Sequence, residues 1–159
     1  MADEVVAKVQ TEDTTQAEGN VLGLVAGDAA TKTYLMFAAT DGAETAKLSL
    51  DSLGIDFLES EDNKTYLIDA HIIERDTAGQ DSGTIRLYGY VSRGTGAASM
   101  LVNQISSVPR EDVALFGVAA TLTADTTTGA IDINVTGLTG LIIKYVARVM
   151  VTEVSTAYA

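Results

Sequence analysis

Few side chains in this sequence have the chemistry of a catalytic centre. His71 is the single histidine and the chain has no cysteine, which excludes thiolate nucleophiles, disulfide bonds and cysteine-ligated metal sites. A catalytic His71 would need a serine, an aspartate or a metal ion beside it. His71 falls instead in an alternating segment, on the same face as Asp69 and Arg75, and we interpret it as a surface or interface histidine.

Two acidic clusters are candidates for a cation site. They are residues 59–63 (ESEDN) and the pair Asp125 and Asp132. Calcium needs several oxygen atoms that converge on one point, and neither cluster has the alternating Asp/Asn spacing with a closing glutamate of an EF-hand loop. We predict solvated turns, with Asp125 capping its own turn, and no metal site.

The other candidate motifs predict neither a nucleotide site nor a glycosidase. Residues 92–99 (SRGTGAAS) lack the lysine and the Ser/Thr that follow the glycines of a phosphate loop. The two carboxylates of a glycosidase are defined by their separation in space, so spacing along the chain does not exclude them. Sugar sites also use aromatic platforms, however, and the chain has no tryptophan. We therefore predict no enzyme activity, no catalytic residue and no cofactor.

Two tyrosines stand on one face of a predicted strand. Tyr88 and Tyr90 flank Gly89, which lies on the opposite face. Paired tyrosines anchor protein interfaces as often as they line a core. The sequence leaves both interpretations open.

Length and composition indicate a single acidic domain. The chain has 159 residues, of which 47% are hydrophobic and only 6% aromatic, so we expect a core that draws stability from a neighbouring subunit. The formal net charge is −12, which opposes binding to nucleic acid or to an anionic membrane. We predict neither as a partner.

The N-terminal residues differ in composition from the rest of the chain. Residues 1–20 are polar, with a short apolar patch at Val5, Val6 and Val9, and we predict an extended arm there and a β domain over residues 21–159. The arm lacks the basic start and apolar run of a signal peptide, and no segment has the length of a membrane span. We expect synthesis in the cytoplasm without export.

Alternating apolar and polar residues, with turn residues about every ten positions, predict an all-β fold. The expected form is an antiparallel β-sandwich or a jelly-roll-like domain. Pro109 is predicted to mark a connection, and residues 112–116 one helical turn. Residues 49–58 could form a strand region or a short helical turn. The predicted strands are residues 21–25, 34–38, 47–50, 66–75, 85–91, 99–108, 118–123, 131–136 and 143–151.

The best-patterned part, residues 65–154, resembles a domain found in virion proteins of tailed bacteriophages. The similarity lies in the order of "TYLIDAHIIERD", "TIRLYGYVSRG" and "REDVALFGVAATLTADTTTGAIDINVTGLTGLIIKYVARVMVTEV". Members of this group often carry a tryptophan early in the closing strand, where this chain has Tyr145. That difference affects core packing and does not alter the expected role.

The resemblance implies a virion structural protein that assembles with itself, as a homotrimer, and with the major capsid protein or other virion proteins. Such domains occur in tail fibres, in head fibres and in proteins that coat capsids. Because the sequence has no collagen-like repeat and no heptad shaft, we expect a capsid decoration protein. The alternative is a tail-fibre or tail-tip adaptor that binds a receptor, with loops such as residues 76–83 and 92–98 as its contacts.

Overall fold

The computed structural model describes residues 29–51, 54, 56–79 and 81–155. The predicted arm over residues 1–20 and the predicted strand over residues 21–25 lie outside these residues. The described part is almost entirely β-structure, which confirms the predicted fold class. Its nine strands are β1 (Ala29–Asp41), β2 (Thr45–Lys47), β3 (Leu58–Glu59), β4 (Lys64–Asp76), β5 (Ser82–Arg93), β6 (Leu101–Glu111), β7 (Ala119–Ala124), β8 (Ala130–Thr136) and β9 (Ile142–Ser155).

Five long strands form an antiparallel sheet in the order β1-β9-β4-β5-β6. The strand β9 lies between β1 and β4 and pairs with both along almost its whole length. Its inward residues Ile143, Tyr145, Ala147 and Val149 are each at most 1% exposed. The alternating pattern that predicted this strand arises because one face of β9 is buried in the core and the other points away from it.

A smaller sheet packs against the inner face of the five-stranded sheet. Its central strand is β8, which pairs with β7 along one edge and with the short strands β2 and β3 along the other. Ile131, Ile133 and Val135 of β8 point into a core shared by both sheets. The outer positions of β7 and β8 are mainly threonine and asparagine, as expected of a solvated face.

The β4–β5 hairpin has the predicted polar loop, which spans residues 77–81. The predicted helical turn in residues 112–116 is also present, as a 3-10 helix over Val113–Leu115, and a second 3-10 helix spans Ala97–Ser99. In the region of residues 49–58, Ser49 bridges to Phe37 and Leu58 begins β3. The described residues there form no helix.

The interpretation of Pro109 as a connection is wrong. Pro109 lies inside β6 and pairs with Ile85. A proline has no N–H group to donate, but β6 is an edge strand, so one side of it needs no partner strand. This tolerance of edge strands explains why the proline did not end the strand.

Across the described ranges, the structure contains no helix with the length and apolar character needed to cross a membrane.

Candidate interaction face

The side of the five-stranded sheet that points away from the core is the most unusual surface of the described chain. We call it the outer face. Neighbouring residues show its separation from the core, because Ile72 is 1% exposed and Ile73 is 60% exposed. This difference follows from the two-residue period of a strand.

Large apolar side chains are spread over the outer face. Three of the strands contribute them, and each side chain is between 36% and 60% exposed. Contiguous exposed apolar surface of this kind marks interaction sites in soluble proteins. The members in these strands are Leu35, Leu67, Ile73, Ile142, Val146, Met150 and Val154.

Tyr88 and Tyr90 also lie on the outer face, which decides between the two interpretations left open by the sequence. Tyr90 is 37% exposed, and its hydroxyl oxygen accepts a hydrogen bond from Asn103 Nδ2 at 3.2 Å. Gly89 lies on the inner face, where an added Cβ would meet Asn103 O at 2.7 Å and Leu122 Cδ2 at 2.8 Å. The glycine permits close packing of the two sheets, and the tyrosines are available at the surface.

A row of basic side chains crosses the middle of this face. Arg148, His71 and Arg86 are consecutive cross-strand neighbours on β9, β4 and β5. Asp69 forms a two-point ion pair with Arg86, with distances of 3.2 Å to Nε and 2.9 Å to Nη2, and this hydrogen bonding raises the pKa of Arg86. His71 Nε2 lies 3.4 Å from the same carboxylate.

A second pair of cations lies toward one end of the outer face. Arg75 and Lys144 are directly opposite each other on β4 and β9, and both are exposed. Like charges in opposed positions destabilise a sheet. Within the described ranges, no carboxylate lies within ion-pairing distance of Arg75, Lys144 or Arg148. The outer face is therefore locally basic in a chain whose net charge is −12.

One end of the molecule has the opposite character. Backbone hydrogen bonds tie its loops together, from Gly42 N to Leu141 O at 2.9 Å and from Thr77 N to Ile142 O at 2.9 Å. Two further backbone hydrogen bonds join the loops, from Gly137 N to Glu44 O at 2.9 Å and from Asp112 N to Ser82 O at 3.2 Å. We call this region the acidic loop end, defined by Glu44, Asp81, Asp112 and Phe116.

Phe116 is 85% exposed, although the preceding Leu115 is fully buried. The 3-10 helix directs Leu115 into the core and leaves the phenyl ring at the surface. The sequence analysis did not single out Phe116, because a lone apolar residue in a loop has no periodic signal.

The acidic clusters predicted from the sequence have structural partners. Asp125 Oδ1 accepts hydrogen bonds from the backbone N–H groups of Thr127 at 2.8 Å and Thr128 at 3.2 Å, and these bonds lower the pKa of Asp125. This is the predicted turn cap. Asp132 lies apart from it and forms an ion pair with Lys47 at 2.7 Å.

In the cluster over residues 59–63, Asp62 lies 2.8 Å from Arg93 Nε and accepts a hydrogen bond from Gly96 N at 3.0 Å. Arg93 Nη1 also donates to Ser60 O. The arrangement joins the end of β5 to the β3–β4 connection. Among the described residues, no three His, Asp or Glu side chains are grouped so as to hold a metal ion.

Comparison with known proteins yields weak structural similarity to phage tail proteins. Neither a family model nor a curated protein matches the chain. The tailspike protein of Acinetobacter baumannii phage AM24 matches with a TM-score of 0.40 and 12% identity, over 79% of this chain and 26% of that one. The tailspike protein of Acinetobacter phage vB_ApiP_P1 matches with a TM-score of 0.32 and 11% identity, over 88% of this chain and 24% of that one. The chain thus spans about a quarter of the length of the structures it matches.

Both matched structures are phage tailspike proteins, and neither is a capsid decoration protein. With TM-scores below 0.5, the matches assign no role or place in a virion to this chain. They also correct one prediction. The conclusion that the chain is not an enzyme is wrong as a firm exclusion, because the matched structures are tailspike proteins. Neither match assigns an activity to this chain.

Proposed function

We propose that the chain is a structural domain of a tailed-phage virion, located at the tail as an adaptor or receptor-binding module, and that its outer face binds another virion protein. The observation that carries the proposal is this face, on which seven large aliphatic side chains of β1, β4 and β9 are between 36% and 60% exposed. A solvated sheet face normally bears mainly polar residues.

The sequence resemblance supports the same function. The segments over residues 65–154 that resemble phage virion domains form β4 to β9 and the loops between them. These strands include the three central strands of the five-stranded sheet and all of the core strand β8. The similarity therefore covers the part of the chain that builds the outer face.

Quantitative mass spectrometry and gold labelling of purified phage particles test this function. We expect the protein in particles, at far fewer copies than the major capsid protein, with label at the tail. Absence from particles would overturn the proposal. If the protein were as abundant as the capsid protein and the label lay over the head, the result would favour a capsid decoration protein over a tail protein.

The role of the outer face is tested by Ile73→Asp in the phage genome. We expect the variant protein to fold and to be lost from particles, because a carboxylate would be buried in the contact. The matched control is Thr121→Asp, on the exposed side of the smaller sheet. Equal incorporation of the two variants would show that the outer face makes no contact in the virion.

A further inference from the structure

We propose that the outer face of one copy binds the acidic loop end of a second copy, so that the chains associate head to tail. This inference rests on the proposed function and names the partner of the outer face. The two surfaces are both present on each chain, and they have opposite charge.

The charge on the outer face determines the kind of partner. The described residues place four cations on this face, namely Arg75, Arg86, Lys144 and Arg148, against Asp69 at its centre and Asp41 on its edge strand. Only Arg86 among them has a carboxylate within ion-pairing distance in the described residues. An apolar surface bearing exposed cations fits an acidic partner that also presents an apolar group.

The acidic loop end has this combination. Glu44 and Asp112 are exposed and Asp81 is partly exposed. Among the described residues, no lysine or arginine nitrogen lies within ion-pairing distance of these three carboxylates. Phe116, with its side chain 85% exposed, is the type of aromatic residue that anchors interfaces.

Charge also decides how the copies are related. Stacking two outer faces about a twofold axis would bring together two surfaces with the same excess of positive charge, and like-charge contacts of this kind are unfavourable. A contact between different surfaces avoids this repulsion. Such a contact generates a closed ring when the rotation between copies closes, as in a trimer.

The test measures self-association of the full chain by sedimentation equilibrium over a range of concentrations. We expect the wild-type protein to associate, more weakly as salt is raised because the contact pairs opposite charges. The double variant Lys144→Glu, Arg148→Glu should weaken association about tenfold or more, and so should Glu44→Lys, Asp81→Lys. Combining all four substitutions should restore the affinity, because the charges are exchanged between the two surfaces.

Two further variants are needed. One tests the apolar contact of Phe116, and the other tests whether added negative charge elsewhere on the surface affects association. Phe116→Ser should weaken association about tenfold without changing the fold. Ala119→Glu, Thr121→Glu adds negative charge to the exposed side of the smaller sheet and should leave association unchanged.

Several outcomes would overturn the inference. One is a wild-type chain that stays monomeric at all concentrations, and another is a fourfold variant that associates no better than the double variants. A third is loss of association on deletion of residues 1–28 with no effect of Glu44→Lys, Asp81→Lys, since the terminal segment would then occupy the outer face. Because the copy number and location of the protein in phage particles are measured separately, failure here is distinguishable from failure of the proposed function.

Discussion

At the scale of single residues, Asp125 shows how a turn makes stability depend on pH. The hydrogen bonds from Thr127 and Thr128 lower the pKa of the Asp125 carboxyl from its ordinary value of 3.8. A lowered pKa in the folded state means that the carboxylate stabilises the protein above the unfolded pKa, and that this stabilisation is lost as pH falls through the folded pKa. We expect Asp125→Ala to lower the melting temperature near neutral pH and to have a smaller effect in acid, once the pH is below the lowered pKa of the folded state.

Thermal denaturation of both proteins across this pH range checks the prediction. Asp125→Asn is the matched control, because its amide oxygen still accepts from the turn N–H groups but carries no charge. A destabilisation by Asp125→Ala that is the same at all pH values would contradict the linkage.

Gly89 lies at a position where there is no room for a side chain between the two sheets. An added methyl group at Gly89 would lie 2.7 Å from Asn103 O, a backbone atom, and 2.8 Å from Leu122 Cδ2. We expect Gly89→Ala to destabilise the fold by about 1–3 kcal/mol, as overpacking does in other cores. In Gly94→Ala the nearest atom is Ser99 Oγ at 3.2 Å, which belongs to a side chain that can rotate. Urea denaturation should show a clearly smaller loss for this control, and equal losses would refute the packing argument.

At the scale of one element, β4 has two consecutive isoleucines, of which one is buried in the core and the other is exposed on the outer face. Ile72 is 1% exposed and Ile73 is 60% exposed. We expect Ile72→Ala to reduce the free energy of unfolding by about 2–5 kcal/mol and Ile73→Ala to change it by less than about 0.5 kcal/mol. Chemical denaturation of the isolated protein measures both values. A comparable loss for the two variants would show that the outer face is covered even in the isolated protein.

The same strand shows what the sequence can predict and what it cannot. Alternation in β4, β5 and β9 is sufficient to place one side of each strand in the core, because the two-residue period follows from backbone geometry. The sequence did not reveal that Arg148, His71 and Arg86 form one row, since that depends on the order and register of strands far apart in the chain. Pro109 was misinterpreted for a related reason, because only the strand order shows that β6 is an edge.

Only some residues of the candidate site were predictable from the sequence. His71 was assigned to the surface from its alternation, and the structure places it there with its side chain 46% exposed. Tyr88 and Tyr90 could not be assigned, because alternation tells which residues share a face but not which face is covered. Phe116 was missed, because its exposure depends on how the short 3-10 helix directs Leu115 into the core.

At the scale of the whole molecule, head-to-tail association would make stability depend on concentration. Copies that bind in the folded state stabilise it by mass action, while the unfolded chain lacks both the outer face and the acidic loop end. We expect the melting temperature of the wild-type protein to rise with protein concentration and to rise less at high salt. In Lys144→Glu, Arg148→Glu the dependence should disappear, although the low-concentration melting temperature stays close to that of the wild type, because both substituted side chains are exposed. Scanning calorimetry over a wide concentration range measures these quantities, and a wild-type melting temperature that is independent of concentration would mean that each chain folds and remains alone.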